Sequence, residues 1–450
     1  MKRFFTSLAT LCIAAASQLT ALAADGENTM TLRRCMEYAI SNSTKIRICN
    51  ADLGDARIAR RDALLAAFTP RISASTYGYY NFGRSIDPQT NTYFTQTSFH
   101  NSYGVSAGFD LFNGFQAVNN LKISKTGLLI SQSQEQQAED DICLAVMEAY
   151  YNAVYCKRLA DVCREQLTTA ETSLYKARRQ EELGQKGYAD VIQMEADLAD
   201  RKYELINAEN MYRDHLMTLS DLMFWPPDEE LVIDTALPSG DIAAVTLSDA
   251  DAIAGYASEN DLKLRIAGWN LDIARRQLST AKWQLLPSLG LYGGWSTSYY
   301  TYQGSHTASF GDQFRNNGGE YVELSLSIPI FNRLQGHSAI TRKRNEWRRA
   351  EAELDRTRRE VESEVRRAVQ DRDGAASAYM QAQRKAEVQT EAYTLNLKKL
   401  EQGLISPLEF QTANANYLKA KADEMNSLFR YLIKQAVVRY YGGERYNEQN

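Results

Sequence analysis

Histidine and the common motifs of hydrolytic chemistry are scarce in this sequence. Among 450 residues only four histidines occur, and they lie far apart, at His100, His215, His306 and His337. This leaves little material for a histidine-based metal or catalytic site. No G-x-S-x-G, H-E-x-x-H or phosphate-loop pattern is present, which argues against an envelope hydrolase. We therefore expect no enzyme activity, no cofactor and no bound metal.

Three features that would indicate other protein classes are also missing. After the first two dozen residues the sequence has no apolar run of about 20 residues, which excludes a helical membrane span. Its 51 basic residues are outnumbered by 56 acidic ones, so no nucleic-acid partner is expected. The cysteines beyond residue 23 are odd in number and have no C-x-x-C spacing, so they give no disulfide framework and are expected to be small core residues. They are Cys35, Cys49, Cys143, Cys156 and Cys163.

The N-terminus has the features of an export signal. Lys2 and Arg3 form a positive region, and the stretch from Phe4 to Ala16 is mostly apolar. Ala21-Leu22-Ala23 is a small-residue cleavage motif. The sequence therefore predicts a signal peptide over residues 1–23 and a mature chain that leaves the cytoplasm.

The remainder of the chain reads as two copies of one unit. Ile58-Ala59-Arg60-Arg61 recurs as Ile273-Ala274-Arg275-Arg276, and Asp110-Leu111-Phe112-Asn113 recurs as Pro329-Ile330-Phe331-Asn332. A period of about 219 residues indicates duplication of a whole substructure. We predict a first repeat over 24–224, a linker over 225–246, a second repeat over 247–443 and a C-terminal tail over 444–450.

Each copy is predicted to contain two strands, a long helix and a return helix. Strict apolar alternation indicates the strands, and proline marks the break between the preceding helix and the first strand. Asn113 and Asn332 are the expected N-caps of the long helices. In copy one the strands are expected at about 72–82 and 102–112 and the helices at about 113–183 and 188–222. In copy two they are expected at about 288–298, 321–331, 332–402 and 407–441.

The long helices carry a seven-residue repeat. Each predicted run covers 71 residues, or about 105 Å of helix. One heptad position is occupied by Ala149, Cys156 and Cys163 in copy one, and by Val361, Ala368 and Ala375 in copy two. A sustained period of 3.5 residues indicates left-handed supercoiling against neighbouring helices. The charged faces of these helices are expected to be solvated.

The four strands cannot complete a stable sheet structure by themselves. Two hairpins with one apolar face cannot bury it in water, and a barrel normally needs at least about eight strands. Strands of about ten alternating residues match those that cross an outer membrane. An open sheet edge in lipid would leave backbone groups unsatisfied, so the sheet must close with copies of the same chain. Two chains would give eight strands. Three would give twelve and an aqueous lumen, and the long helices favour three.

Over nearly all of the mature length the chain resembles the TolC-type outer-membrane efflux proteins. The resemblance is carried by the duplicated unit, by Leu286-Pro287 opening a strand, by Ser327-Ile328-Pro329-Ile330-Phe331-Asn332, and by glycine six residues before an acid at Gly184–Asp190 and Gly403–Glu409. It implies an α+β membrane protein in which three chains form a twelve-stranded β-barrel in the outer membrane. A long antiparallel coiled-coil helical barrel would extend into the periplasm.

The resemblance also implies a function and partners. The expected function is that of the outer-membrane channel of a tripartite efflux or secretion system, forming a passive trimeric duct. The expected partners are outer-membrane lipid, a periplasmic adaptor protein and an inner-membrane pump that is proton-driven or ATP-driven. The exported substrate stays open, because the pump selects it. A structural coiled-coil surface protein or adhesin is the alternative.

The periplasmic tips are the candidate gate. Ser406, Pro407 and Glu409 form a predicted capping box, and Asp190 stands at the matching position after Gly187. These carboxylates either start the return helices or form an acidic constriction that attracts cations. The positions three residues further on are Gln193 and Thr412, which argues against a salt-bridged latch. The candidate gate residues are Gly184, Gly187, Asp190, Gly403, Ser406, Pro407 and Glu409.

The strands supply the remaining candidates. Alternation predicts that Asp110 and Glu323 face the lumen of the barrel. Tyr103, Phe109, Trp295 and Tyr321 are the predicted membrane-interface aromatics. For Phe112 and Phe331, packing at the corner between strand and helix is the favoured interpretation.

Overall fold

A computed structural model describes residues 29–86, 91–95, 97–236, 250–302 and 307–449. The predicted signal peptide and the second half of the predicted linker lie outside these residues. The helices are α1 Leu32–Asn42, α2 Thr44–Phe68, α3 Gln116–Glu182, α4 Tyr188–Met223, α5 Ala250–Asn260, α6 Leu262–Trp283, α7 Phe310–Asn316, α8 Gln335–Glu401 and α9 Pro407–Tyr441. The strands are β1 Arg71–Asn81, β2 Arg84–Ile86, β3 Tyr93–Thr95, β4 Ser98–Phe112, β5 Ser288–Tyr302 and β6 Gly319–Ser327.

The chain divides into two compact units that do not follow the predicted repeats. One unit, which we call the sheet unit, consists of Arg47–Ala138 and Ala254–Glu364. The other, the tip unit, consists of Met1–Ile46, Glu139–Ile253 and Val365–Asn450. Each unit therefore combines segments of both copies. None of the described helices has a stretch apolar enough, over sufficient length, to cross a membrane.

Four strands form one antiparallel sheet in the order β1-β4-β5-β6. The register pairs Ser73 with Ser106 and Val105 with Trp295. Because paired residues lie on the same side of a sheet and neighbours along a strand alternate, the register assigns each strand residue to one of two faces. One face is mostly apolar and carries Ile72, Val105, Phe109, Leu291, Val322 and Leu324. The other is rich in serine and glycine and carries Ser73, Ser106, Gly108, Ser296, Ser298 and Ser325. The strands β1 and β6 form the two edges of this sheet.

Two tyrosines cover glycines on the polar face. Tyr292 pairs with Gly108 across the strands, and a Cβ atom at Gly108 would lie 2.9 Å from the tyrosine ring. Tyr321 covers Gly294 in the same way, at 2.9 Å. The absence of a side chain at glycine lets a large ring lie flat on the neighbouring strand, so these glycines are required by the packing rather than by turns.

The junctions between strands and long helices repeat the same backbone geometry in both copies. Gly114 and Phe115 have φ of 63° and 58°, and their counterparts Arg333 and Leu334 have φ of 52° and 62°. The long helices therefore begin three residues later than predicted, at Gln116 and Gln335. The predicted caps lie before these turns. Asn113 accepts a hydrogen bond from the amide of Ala117, and Asn332 accepts one from the amide of Gly336.

The strand ends also differ from the predicted bounds. The last strand ends at Ser327 rather than at 331, since Pro329 has no amide hydrogen to pair and restricts the residue before it. The third strand of the sheet, β5, continues to Tyr302 instead of 298. The segment between β1 and β4 contains the short strands β2 and β3, and the segment between β5 and β6 contains the helix α7.

The heptad pattern corresponds to buried positions in the tip unit. Ala149, Cys156 and Cys163 of α3 are buried, as are Ala368 and Ala375 of α8. Cys35 and Cys143 lie in the main core of this unit. Burial raises the pKa of both thiols to about 12, so they stay protonated and unreactive at neutral pH. The five described cysteines are free thiols, and burial of all but Cys49 fits their predicted role as core residues.

The residues after α9, predicted only as a tail, pack against the tip unit. Arg445 donates hydrogen bonds to Glu139 at 2.8 Å and to Asp140 at 2.9 Å. Tyr446 is buried and stacks on Tyr440 with ring centroids 4.7 Å apart. This segment is therefore an integral part of the core.

The left-handed turn before α3 can be tested by substitution. A Cβ atom at Gly114 would lie 2.4 Å from the carbonyl oxygen of Trp283, and the backbone φ there is positive. We expect Gly114→Ala to destabilise the protein by about 1–3 kcal/mol through strain and steric clash. Gly127→Ala is the matched control, because this glycine lies inside α3 with nothing within 4 Å of the added carbon.

Thermal unfolding of the detergent-purified protein, followed by circular dichroism, measures both changes. The apparent unfolding temperature should fall for Gly114→Ala and stay equal or rise for Gly127→Ala, since alanine favours helix over glycine. Equal unfolding temperatures in the two variants would contradict the strained junction.

Candidate functional site

The tip unit contains two turns of the same structure, and each turn connects one long helix to its return helix. Gly184 and Gly403 both have φ of 72°. The amide of Gly184 donates to the carbonyl of Glu181, and the next amide, of Gln185, donates to the carbonyl of Gln180. The turn at Gly403 makes the same two bonds, to Leu400 and Lys399. This is the Schellman ending, which needs a residue that tolerates positive φ, and glycine does so at no steric cost.

The two return helices begin with different caps. Ser406 accepts a hydrogen bond from the amide of Glu409 at 3.3 Å, and its own amide donates to the Glu409 carboxylate at 3.0 Å, which is the predicted capping box. Pro407 occupies the first helical position. Gly187 caps α4 without a side-chain hydrogen bond, and Asp190 lies in the first turn of that helix. The carboxylate of Glu409 is thus engaged in the cap, whereas that of Asp190 accepts no hydrogen bond from the described residues.

Behind the turns, the four helices share a small apolar cluster. Its buried members come from all four helices and are Leu174, Ala177, Val191, Met194, Leu400 and Phe410. Tyr393, Leu397, Leu198 and Ile405 pack around them. The two hairpins of one chain are therefore held together near their tips by few apolar side chains.

Among the described residues, the polar links between the two hairpins near the turns include hydrogen bonds of Tyr393 with Gln166 and Thr169, and Gln166 is buried. The other links are exposed. Lys176 of α3 pairs with Glu401 of α8 at 2.7 Å. Gln411 of α9 donates to Asp200 of α4 at 3.3 Å. Exposed links of this kind contribute about 0–1 kcal/mol each. Separating the tips would consequently break the small apolar cluster and a few polar links.

Near this cluster lies a polar cavity of about 20 Å³, enough for one water molecule. Asn414, which is 3% exposed, lines it, and its Oδ1 atom has no partner among the described residues. Asp197, which also lines the cavity, pairs with the buried Arg201 at 3.2 Å. The apolar cluster is therefore bordered by polar side chains in this section of the helices.

The tips also expose large apolar side chains that the sequence analysis did not single out. Leu183 and Tyr188 flank the first turn, and Leu404 and Leu408 flank the second. All four are at least 64% exposed in the single chain. Their signal in the sequence was their position beside the turn glycines, where a solvated turn would carry polar residues instead.

The sheet unit places the predicted strand residues on two faces. Asp110 and Glu323 lie on the polar face, where Tyr292 stands between their two strands. Phe109 lies on the apolar face, together with Tyr103 and Trp295. Tyr321 has the same facing as Glu323, so it is separated by the sheet from the other three predicted interface aromatics.

Two of the apolar-face aromatics are covered by α7. The ring of Tyr103 lies 5.5 Å from that of Phe314, and the ring of Trp295 lies 5.6 Å from it. Thr297 fixes this helix by donating a hydrogen bond to the carbonyl of Phe314 at 2.8 Å. Part of the apolar face at one end of the sheet is therefore packed within the chain, and the remainder is exposed.

The turns and the sheet present three kinds of surface. Within the part of the chain that the structure describes, no group of three His, Cys, Asp or Glu is placed to hold a metal ion. What these regions offer are a serine-rich face, an apolar face with open edges, and two turns with exposed apolar residues.

Comparisons with known proteins agree on one family. The sequence matches the family described as Outer membrane efflux protein over residues 37–223 and 254–442, which lie within the two predicted repeats. Alkaline protease secretion protein AprF of Pseudomonas aeruginosa is 23% identical over 391 residues, which cover 84% of this chain and 77% of the relative. Outer membrane protein TolC of Vibrio cholerae is 23% identical over 321 residues, covering 68% of this chain and 70% of the relative.

The fold is also that of a solved structure. The outer membrane protein VceC of Vibrio cholerae aligns with a TM-score of 0.74 at 15% identity, over 92% of this chain and 96% of the other. This likeness confirms the predicted fold class, a mostly helical chain with a four-stranded antiparallel sheet and a duplicated unit.

The capping box at the second turn can be tested locally. Ser406→Ala should remove the side-chain cap at a cost of about 1 kcal/mol, or about fivefold faster hydrogen exchange of the Glu409 and Phe410 amides. Ser406→Gly is the matched control, because it reproduces the Gly187 cap of the first turn and glycine costs only a few tenths of a kcal/mol at this position. Hydrogen exchange measured by mass spectrometry separates them. Exchange of these amides in Ser406→Ala as slow as in wild type would show that the serine side chain does not cap the helix.

Proposed function

We propose, on the premise that the chain belongs to the outer membrane efflux protein family, that it forms a passive trimeric duct through which a periplasmic adaptor and an inner-membrane pump export their substrate. The family assignment confirms the predicted resemblance, and it identifies the chain as an outer-membrane protein of efflux or secretion. One observation supports the duct most strongly. A single chain carries a membrane-type sheet with one apolar and one serine-rich face, open at both edges.

Closure of this sheet would require further copies of the chain. Each copy contributes four strands, and three copies contribute twelve, which leave a water-filled lumen. In that arrangement the apolar face meets lipid, and the polar face lines the duct with Ser106, Asp110, Ser296 and Glu323. Such a lumen performs no bond chemistry. It lowers the barrier to crossing the outer membrane, and the free energy of transport is supplied by the pump.

The two turns of the tip unit are proposed as the gate. The hairpins are joined there by a small apolar cluster and exposed pairs such as Lys176–Glu401, so that a partner needs to supply little free energy to part them. The exposed Leu183 and Tyr188, with Leu404 and Leu408, provide an apolar surface for an adaptor. Burial of that surface on docking would thus offset the free energy needed to separate the hairpins.

The two tip carboxylates are expected to differ in their effect on ions. Glu409 is bound in its capping box, which lowers its availability to a passing cation. Asp190 is not, and three copies of it around one axis would form a ring of negative charge. We therefore assign the larger part of any cation attraction at the gate to Asp190.

Conductance in planar bilayers tests the duct and the ring together. The detergent-purified protein should form pores, and Asp190→Asn should lower the preference for cations more than Glu409→Gln does. Asp214→Asn combined with Glu351→Gln is the matched control, since both are exposed carboxylates without a described ion pair, outside the tips.

The outcomes separate the two parts of the proposal. Pores whose ion selectivity is unchanged in Asp190→Asn would reduce Asp190 to a helix-starting residue and leave the duct standing. Absence of any pore at reasonable protein loading would contradict the duct itself and favour the adhesin alternative.

A further inference from the structure

The four segments that join the sheet to the helices carry a large excess of positive charge. They are residues 55–71, 113–126, 272–287 and 328–349, and we call them the collar. The collar has 15 Lys or Arg against four Asp or Glu, whereas the rest of the chain has 36 basic and 52 acidic residues. The strand register brings the collar segments to one end of the sheet, because the starts of β1 and β5 lie at the same end as the termini of β4 and β6.

Most of these cations have no carboxylate partner among the described residues. Three ion pairs lie within the collar, and they are Arg61–Asp62, Arg276–Asp272 and Lys343–Glu346. They already use three of its four carboxylates. The other twelve cations form no ion pair with any residue that the structure describes. Four of the twelve are arginines within two turns of α8, namely Arg342, Arg344, Arg348 and Arg349.

Further copies of the chain cannot neutralise this charge. In an assembly with rotational symmetry about an axis along the helices, the collars of all copies lie at the same height. Each collar then meets other collars with the same excess of cations. The nearest carboxylates further along α8 are Glu351 and Glu353, and they form no ion pair with the collar arginines, since Glu353 pairs with Arg356 instead. The partner that balances the collar must therefore be an anion from outside the protein.

The opposite end of the sheet carries no such excess. Residues 82–97 and 303–318, which connect the strands there, contain two basic and two acidic residues in total. The excess of positive charge is thus confined to the end of the sheet that continues into the helices. In the proposed duct this end lies at the periplasmic surface of the outer membrane.

Exposed apolar side chains accompany the cations. Phe68, Phe331 and Leu334 are each more than 60% exposed, and Ile330 is 94% exposed. Phe68 and Ile330 lie within four residues of a strand of the sheet, and the unpaired Arg71 and Arg333 are close to them in sequence. Apolar side chains beside arginines are typical of a membrane surface, where the former enter the acyl region and the latter reach the phosphates.

We propose that the collar binds the phosphate groups of anionic phospholipids in the periplasmic leaflet of the outer membrane. This rests on the proposed function in one respect, that the sheet lies in the bilayer. Bidentate guanidinium–phosphate hydrogen bonds would hold a shell of these lipids around the protein. The shell sets the depth of the sheet in the membrane, because the cations stop where the phosphates lie.

The test uses the full chain reconstituted with defined lipids. Quenching of tryptophan fluorescence by brominated phosphatidylglycerol, compared with brominated phosphatidylcholine, gives the relative affinity for the anionic lipid, and Trp283 lies within the collar. Wild type should prefer phosphatidylglycerol by at least about threefold at low salt, since each cation near the surface attracts anionic lipid. R342Q/R344Q/R348Q/R349Q should lose that preference, and 0.5 M NaCl (about a 4 Å Debye length) should weaken it.

Two further variants keep the result interpretable. R358Q/R359Q/K398Q/R430Q removes the same charge from exposed positions outside the collar and should retain the preference. The lysine variant R342K/R344K/R348K/R349K keeps the collar charge and should retain most of the lipid preference. A loss of preference in the glutamine variant alone is then due to loss of charge and not to a folding defect.

Three outcomes would overturn the proposal. The first is no lipid preference in wild type, and the second is an equal loss of preference in the collar and control variants. The third is a glutamine variant of the collar that keeps the lipid preference but has lower anion permeability, which would assign the collar to the lumen. Planar-bilayer conductance of the same wild-type preparation reports the duct independently. Pores without lipid preference would end the lipid proposal alone, and lipid preference without pores would end the proposed function.

Discussion

A sheet with open edges cannot remain in a lipid bilayer, and this constraint governs the rest of the molecule. The hydrocarbon core offers no partner for the backbone groups at the edges, and each unpaired group costs several kcal/mol. The edge strands β1 and β6 are both exposed in the single chain, as is much of the apolar face that includes Ile72, Val322 and Leu324. Water, in turn, is a poor environment for that apolar face. In the proposed duct, association with further copies satisfies the edges and places the apolar face against lipid at the same time.

Packing along the long helices differs from packing near the turns that follow them. The helices α3 and α8 are 67 residues long, or about 100 Å each. Their buried heptad positions are small, as at Ala149, Cys156 and Ala375, which allows neighbouring helices to approach closely. Near the turns the packing changes to a small apolar cluster with a polar cavity and exposed ion pairs. This contrast is the basis for proposing the turns as the gate, since regions with few buried apolar contacts open at lower cost.

Local periodicity made much of this fold predictable, and its limits have physical causes. Alternation placed Asp110 and Glu323 on the serine-rich face, and the spacing of Ser406 and Glu409 predicted the observed capping box. The start of the long helices could not be predicted, because Phe115, Arg333 and Leu334 adopt left-handed conformations for which their residue types have no preference. The α7 helix and the cover it gives to Tyr103 depend on contacts distant in sequence. The same alternation that places Glu323 also places Tyr321, so its prediction as an interface aromatic conflicts with the facing of its own strand.

The number of chains that share one sheet is the central claim, and the native mass of the protein in mild detergent measures it most directly. The account predicts a particle of three chains, stable on dilution and sensitive to loss of the detergent that covers its apolar face. Mass spectrometry under native conditions, with the bound detergent removed in the gas phase, gives the chain number without a shape assumption. A monodisperse single chain that stays soluble without detergent would contradict the account.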